Sequence, residues 1–218
     1  PTQPVLPGVG QVFTLRTVED TLRIHEFVTT HHPRSVVLAG GGFISLEMAE
    51  NLRELGMEVT MVQRPKQLMN PFDPEMASFI HAKMRKKGVR LLLGHTVEGF
   101  EEAPGGVRVL LKGAEPLEAE LVVLAIGVTP DTQLAKEAGL ELGVKGSIAV
   151  NDRMETSVPD IYAVGDAVQV QHFVTGEHTL ISLAGPANKQ GRIAADNICG
   201  GNSRYQGSQG SSVVKVFD

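Results

Sequence analysis

Ser35-Val-Val-Leu-Ala-Gly-Gly-Gly-Phe-Ile-Ser-Leu-Glu47 is the stretch that decides how this chain is read. A short apolar run leads into three glycines, and from Phe43 onward apolar residues return at helical spacing, at Ile44, Met48, Leu52 and Leu55. The pattern predicts a buried strand, a tight turn and a helix whose inward face carries those four residues. Glycine suits the turn for two reasons. Gly40 lets the backbone reverse, and Gly42 lets a diphosphate approach amide groups that any Cβ would hold away. The unpaired N–H groups and positive dipole end of the following helix favour the anion.

The match to G-x-G-x-x-G, running through Gly40, Gly41 and Gly42, ends on Ser45, where a third small residue lets helix and strand close together. On pattern alone the motif also fits a plain glycine turn; its surroundings select dinucleotide binding. Gly56 provides a helix stop. Residues 57–62 alternate as a second strand through Val59 and Met61, and Gln63-Arg64 falls roughly 20 residues beyond the first glycine, where an adenosine ribose is read. Strand, helix and strand complete the unit.

The 218 residues suffice for one good core or two modest ones, and 42% hydrophobic with 21% charged residues is the make-up of an ordinary globular protein. A net charge of −5 provides no basic surface for nucleic acid, and no apolar run approaches membrane-spanning length. The single cysteine, Cys199, rules out an internal disulfide framework and a multi-cysteine metal site. With no Trp and 5% aromatic residues, base-stacking platforms are not indicated.

Residues 1–10, rich in Pro and Gly, read as a linker. Thr17-Val-Glu-Asp20 reads as a capping-box variant opening a helix with Val18, Leu22 and Phe27 inward, ended by His31-His32-Pro33. The paired histidines have no further ligand at useful spacing and read as a solvated helix end. Asp73-Pro74 starts another helix, with a capping carboxylate and an inward face of Met76, Phe79, Ile80 and Met84. Its basic last turn complements the dipole, Gly88 stops it, and residues 89–93 are a third strand. Residues 97–100, 107–111 and 117–121 then read as an antiparallel meander, with a solvated Glu101-Glu102 pair, and residues 121–126 as a buried strand followed by Gly127. Residues 146–150 read as a short strand, and residues 156–166 as a loop and apolar strand ending in Gly165-Asp166. Asp166 is either a hydroxyl-binding carboxylate or a loop aspartate capping the next segment. Residues 182–199 are helical, with Gly185-Pro186 at the start and Cys199 as a small packing residue; residues 202–212 form a polar Gly/Ser loop. The opening at Pro1 without an initiator Met, and an end with strand character in Val213-Val-Lys-Val-Phe-Asp218, lead us to expect a piece of something longer.

Three motifs now stand in order: Gly40-Gly-Gly-Phe-Ile-Ser-Leu-Glu47, Ala125-Ile-Gly-Val-Thr-Pro-Asp131, and the run from Thr156 through Gly165-Asp166. Together they resemble the flavin-dependent pyridine nucleotide-disulfide oxidoreductases, over essentially the whole chain. Leu183-Ala-Gly-Pro-Ala-Asn-Lys-Gln-Gly-Arg192 and Val213-Val-Lys-Val-Phe-Asp218 look most like the coenzyme A-disulfide reductase, persulfide reductase and NADH oxidase branch. The resemblance implies an α/β fold: a Rossmann-like, doubly wound NAD(P)-binding domain with a β-meander, plus part of a FAD-binding domain. Residues 1–30 would be a linker and helix of the FAD domain, 31–150 the NAD(P)H domain, and 151–218 the second half of the FAD domain.

By the same resemblance, Phe43 would cover the nicotinamide pocket, Glu47 would lie near the carboxamide, and Gly127 would line the nucleotide cleft. Asp166 would bind the ribityl hydroxyls of FAD, and the helix starting near Pro186 and Ala187 would point at the pyrimidine end of the flavin, favouring its anionic reduced form. Gln63 stands where NADH-preferring members carry an acid, and Arg64 matches an arginine that holds the 2′-phosphate in NADPH-using relatives, so NADPH is expected to be at least tolerated. The family's redox cysteine and first flavin fingerprint lie upstream of these motifs, so no catalytic residue is expected in this chain and the chain alone is expected to be inactive. The expected reaction passes hydride from NADH or NADPH to flavin and on to a small-molecule disulfide or persulfide, in a cytoplasmic homodimer. The alternatives are an NADH oxidase or ferredoxin reductase of the same architecture, or a non-catalytic nucleotide-binding module.

Overall fold

The computed structural model describes residues 10–211 and 213–218, so the linker expected at residues 1–10 falls outside them but for its last residue. One compact unit runs to Val128 and includes Val214–Asp218; Thr129–Val213 form the other.

The first unit contains β1 (Val12–Thr14), α1 (Val18–His31), β2 (Ser35–Ala39), α2 (Phe43–Glu54), β3 (Glu58–Gln63), α3 (Pro74–Lys86), β4 (Arg90–Leu93), β5 (Val97–Ala103), β6 (Gly106–Leu111), β7 (Ala114–Ala119) and β8 (Leu121–Leu124). Five of these strands form a parallel sheet in the order β1-β8-β2-β3-β4. The strands are apolar on both sides because both faces are covered. Val36 and Leu38 of β2, Val59 and Met61 of β3, and Leu121 and Val123 of β8 face a core shared with Ile24, Leu46, Ala49, Leu52, Ile80 and Met84 of the helices. Their neighbours Val37, Ala39, Val62, Val122 and Leu124 face a second core with Phe100, Val107, Val109, Leu111 and Ala119 of the meander. That meander is the expected three-stranded antiparallel sheet β5-β6-β7. Each fully buried side chain of this kind contributes about 1.5–3 kcal/mol, so a charge at Met61 would break the unit.

The helices lie where expected, but their inward faces are rotated from the expected ones. In α1 the Thr17–Asp20 capping box is complete. Ile24 is the buried residue, with Phe27 and Val28 against the core, while Val18 and Leu22 are 71% and 61% exposed. Leu22 lies two positions from Ile24, about 200° around the helix. In α2 the buried residues are Ser45, Leu46, Ala49 and Leu52, and Ile44 and Leu55 face out. Small side chains at Ser45 and Ala49 let that helix lie close to the strands, a face that apolarity alone does not mark. In α3, Ala77, Ile80 and Met84 are buried, and Met76 and Phe79 are exposed. Pro74 is at the first helical position, but the Asp73 carboxylate makes no capping hydrogen bond. At the other end of α3, Lys83 and Lys87 pair with Asp218, pulling its carboxyl down to about 2 through the Lys87 hydrogen bond and the charge of both lysines.

The second unit contains α4 (Gln133–Glu137), a short turn at Val144–Gly146, a 3-10 turn at Gly165–Ala167, the hairpin β9 (Val170–Gln171) and β10 (His178–Thr179), and α5 (Ala184–Ile198). The strand expected at residues 146–150 is instead a turn followed by isolated bridges from Ile148 to Leu142 and Val168. The apolar run before Gly165-Asp166 also forms no strand. It is a bend held by one Glu155–Tyr162 bridge, because no neighbouring strand offers it a ladder. Residues 213–218 likewise form no strand; Phe217 is buried in a left-handed conformation, its N–H donating to Glu50 Oε2 at 2.9 Å. Cys199 is exposed at the cap of α5, where Gly200 ends the helix, and so it is not the packing residue expected.

Candidate functional site

β2, β3 and β8 are in register, so Ala39 pairs with both Val62 and Leu124 and their carboxyl ends form one edge. Gly40, Gln63 and Ala125 follow at that edge, where ligands of open α/β sheets bind. The turn is tied there by Gly40 N–H donating to Val62 O at 2.8 Å and Ala125 N–H donating to Ala39 O at 2.8 Å.

The three glycines do different things. Gly40 has φ +120°, and a Cβ there would sit 2.2 Å from the Ala125 carbonyl oxygen. Gly41 is roofed by neighbours: a Cβ would meet Leu68 Cδ2 at 2.7 Å and Gln63 Cδ at 2.9 Å. Gly42 is the N-cap of α2, is exposed, and has nothing within 4 Å of its absent Cβ. The backbone of Gly42 is thus open to an approaching group, at a helix start with no side-chain cap to occupy the first amides. This cradle fits a dinucleotide diphosphate. Ser45 is fully buried, and its hydroxyl has no hydrogen-bond partner among the described residues. Phe43 is half-buried against the core, while Ile44 and Glu47 are exposed on the first turns of α2.

On the β3 side, Gln63 is half-buried and donates from Nε2 to Gln67 O at 3.3 Å, and Arg64 is exposed with no ion pair among the described residues. The following loop folds back onto the glycines. Met69, with φ +49°, donates its N–H to Gly41 O at 2.7 Å, and Leu68 donates its N–H to His81 Nε2 at 2.9 Å. Burial, and secondly the Arg85 charge, lower the His81 pKa and favour the neutral ring this contact needs. Leu68, Met69 and His81 were invisible to a pattern reading, since two lie in a loop and the third is a lone helical histidine. Gly127, with φ +113°, is exposed after β8.

In the second unit, Gly165 has φ +83° and donates its N–H to Gln190 Oε1 at 2.7 Å; Gln190 is 1% exposed in the middle of α5. Asp166 is exposed beside it, and Pro186 and Ala187 lie half-buried in the first turn of α5. An exposed carboxylate on a glycine turn, beside a long helix, fits the hydroxyl-rich tail of a flavin. Elsewhere in the first unit, a cavity of about 440 Å³ lined by Val37, Thr60, Leu92, His95 and Leu111 includes none of the glycine-turn residues. Among the described residues no group of three or more His, Cys, Asp or Glu is placed to hold a metal, and no helix is long and apolar enough to cross a membrane.

The chain is 36% identical to the NAD(P)H coenzyme A polysulfide/persulfide reductase of Pyrococcus horikoshii, over 100% of this chain and 49% of that protein. It is equally 36% identical to an NADH oxidase of Methanocaldococcus jannaschii, over 99% of this chain and 49% of that one. Among solved structures, reduced Bacillus anthracis CoADR-RHD superposes with a TM-score of 0.94 at 47% identity, covering 100% of this chain and 39% of its own. The chain therefore spans about half the length of the relatives it matches. With residues 1–191 matching the family model as well, the chain belongs to the pyridine nucleotide-disulphide oxidoreductase family.

Proposed function

We propose that this chain supplies the NAD(P)H-binding part and a portion of the FAD-binding part of an oxidoreductase that reduces a small-molecule disulfide or persulfide, such as that of coenzyme A. Residues 31–150 are assigned to the nucleotide, and residues 151–218, with the helix before residue 31, to the flavin. The observation that carries the reading is the glycine turn, where Gly40 is forced by Ala125 while Gly42 is open to a ligand.

Gly42 and the first amides of α2 bind the diphosphate, Phe43 and Glu47 border the nicotinamide, and Gly127 lines the cleft. Gln63 and Arg64 read the adenosine ribose, with Arg64 admitting a 2′-phosphate. Asp166 holds the ribityl chain, and the N-terminus of α5, from Pro186 and Ala187, favours negative charge on the ring. When bound, a nicotinamide nucleotide would supply hydride chemistry and a flavin would accept it, while the residues named here would hold and orient the two. The assembly is a cytoplasmic homodimer.

Anaerobic titration of the full-length protein tests this. NADH or NADPH should bleach the flavin, and coenzyme A disulfide or persulfide should restore its colour. Restoration by oxygen alone would support the oxidase alternative, restoration by a ferredoxin the ferredoxin-reductase alternative, and dinucleotide binding without flavin a non-catalytic module.

A further inference from the structure

The geometry points to His81 as a positioning residue for the diphosphate-binding turn, acting through Leu68, so that dinucleotide binding weakens in acid. This rests on the nucleotide reading of the glycine turn. His81 lies on α3, and its Nε2 accepts the Leu68 N–H at 2.9 Å. Leu68 is fully buried, and its Cδ2 lies where a side chain on Gly41 would begin, 2.7 Å from that Cβ position. The next residue, Met69, returns a hydrogen bond of 2.7 Å to Gly41 O from a left-handed backbone that needs holding. One acceptor on α3 thereby fixes the two residues that pack against Gly41.

Only an unprotonated Nε2 can accept from a backbone amide. A protonated ring would set two donors against each other, releasing Leu68 and, with it, the support under Gly41. Burial and Arg85 both resist that protonation, so the contact is intact at neutral pH and is lost as pH falls through a value below the ordinary one for histidine.

Other charged groups stand on the same elements. α3 carries Arg85 one turn on, Asp73 at its N-cap, and Lys83 paired with Asp218. The loop from β3 carries Arg64 and Lys66, both exposed. The turn after β4 carries His95, whose ring Nδ1 contacts Leu93 O and whose backbone N–H donates to Gln63 O. Of these, His81 alone accepts from Leu68, and substitution at that position separates its effect from the others.

Calorimetric titration of the full-length protein with NAD⁺, whose diphosphate charge is constant over this range, provides the test. The wild-type dissociation constant should rise about tenfold from about pH 8 to about pH 5. His81→Gln, whose amide oxygen can accept from Leu68 and does not titrate, should bind like wild type at the higher pH and stay flat. His81→Leu should bind weakly at both. A flat wild-type profile, or a His81→Gln profile that still falls in acid, would overturn the inference. So would a His81→Leu variant that loses melting temperature but keeps wild-type affinity. Failure of the nucleotide reading itself looks different: wild type would take up no NAD⁺ even at about pH 8.

Discussion

Gly40 and Ala125 approach so closely that a methyl group on Gly40 would lie 2.2 Å from the Ala125 carbonyl oxygen. The contact joins the ends of β2 and β8, and the φ of +120° at Gly40 is itself closed to ordinary L-residues. Gly40→Ala is expected to destabilise the first unit by at least about 2 kcal/mol, as two strands must part to admit the methyl. Chemical denaturation measures this, and an unchanged midpoint would show that the turn tolerates a Cβ.

Ser45 takes the third motif position for its size rather than its hydroxyl. Its Oγ is buried with no partner among the described residues, a cost that an alanine would remove. Ser45→Ala is expected to stabilise the protein by about 1 kcal/mol and leave NAD(P)H affinity unchanged. A loss of stability or of affinity would mean that the hydroxyl is engaged.

Arg64 is exposed at the end of β3, beside an uncharged Gln63 rather than a carboxylate that would repel phosphate. Arg64→Ala is expected to weaken NADPH binding by about tenfold or more while changing NADH binding little. Equal losses for both nucleotides, or none for NADPH, would contradict its assignment to the 2′-phosphate.

Gln190, itself buried, holds Gly165 in its left-handed turn through a part-buried 2.7 Å hydrogen bond. Gln190→Leu leaves that N–H without a partner and is expected to cost about 1–3 kcal/mol. In the full-length protein FAD affinity should fall with it, because the turn carries Asp166. Wild-type stability in a thermal melt would show the hydrogen bond to be dispensable.

Most of the order of strands and helices in the first unit was legible, because β2 and β4 are short apolar runs closed by glycine and both Gly56 and Gly88 adopt the left-handed stop; the three-residue β1, which carries no turn signal, was not legible. Helix faces were not. Phe79 and Leu22 are apolar yet exposed, while Ser45 and Ala49 are buried because closeness to the strands matters more there than hydrophobicity. In the second unit, residues 146–150 carry strand-like composition but pair only through single bridges from Ile148 to Leu142 and Val168, a fact of tertiary structure. The glycine turn was readable as a motif. Its supports, Leu68 and His81, act through a loop amide and one ring nitrogen, and such contacts leave no period in a sequence.

Gly42 allows the most direct test, because its backbone, at φ −91°, admits a side chain and nothing in the protein lies within 4 Å of where a Cβ would sit. NADPH and NADH are titrated against wild type and Gly42→Val, with a thermal melt of each. The account predicts that the variant keeps its fold, with stability within about 1 kcal/mol of wild type, and loses more than about tenfold in affinity for both nucleotides. Wild-type affinity in a folded Gly42→Val protein would contradict the placement of the diphosphate at this turn.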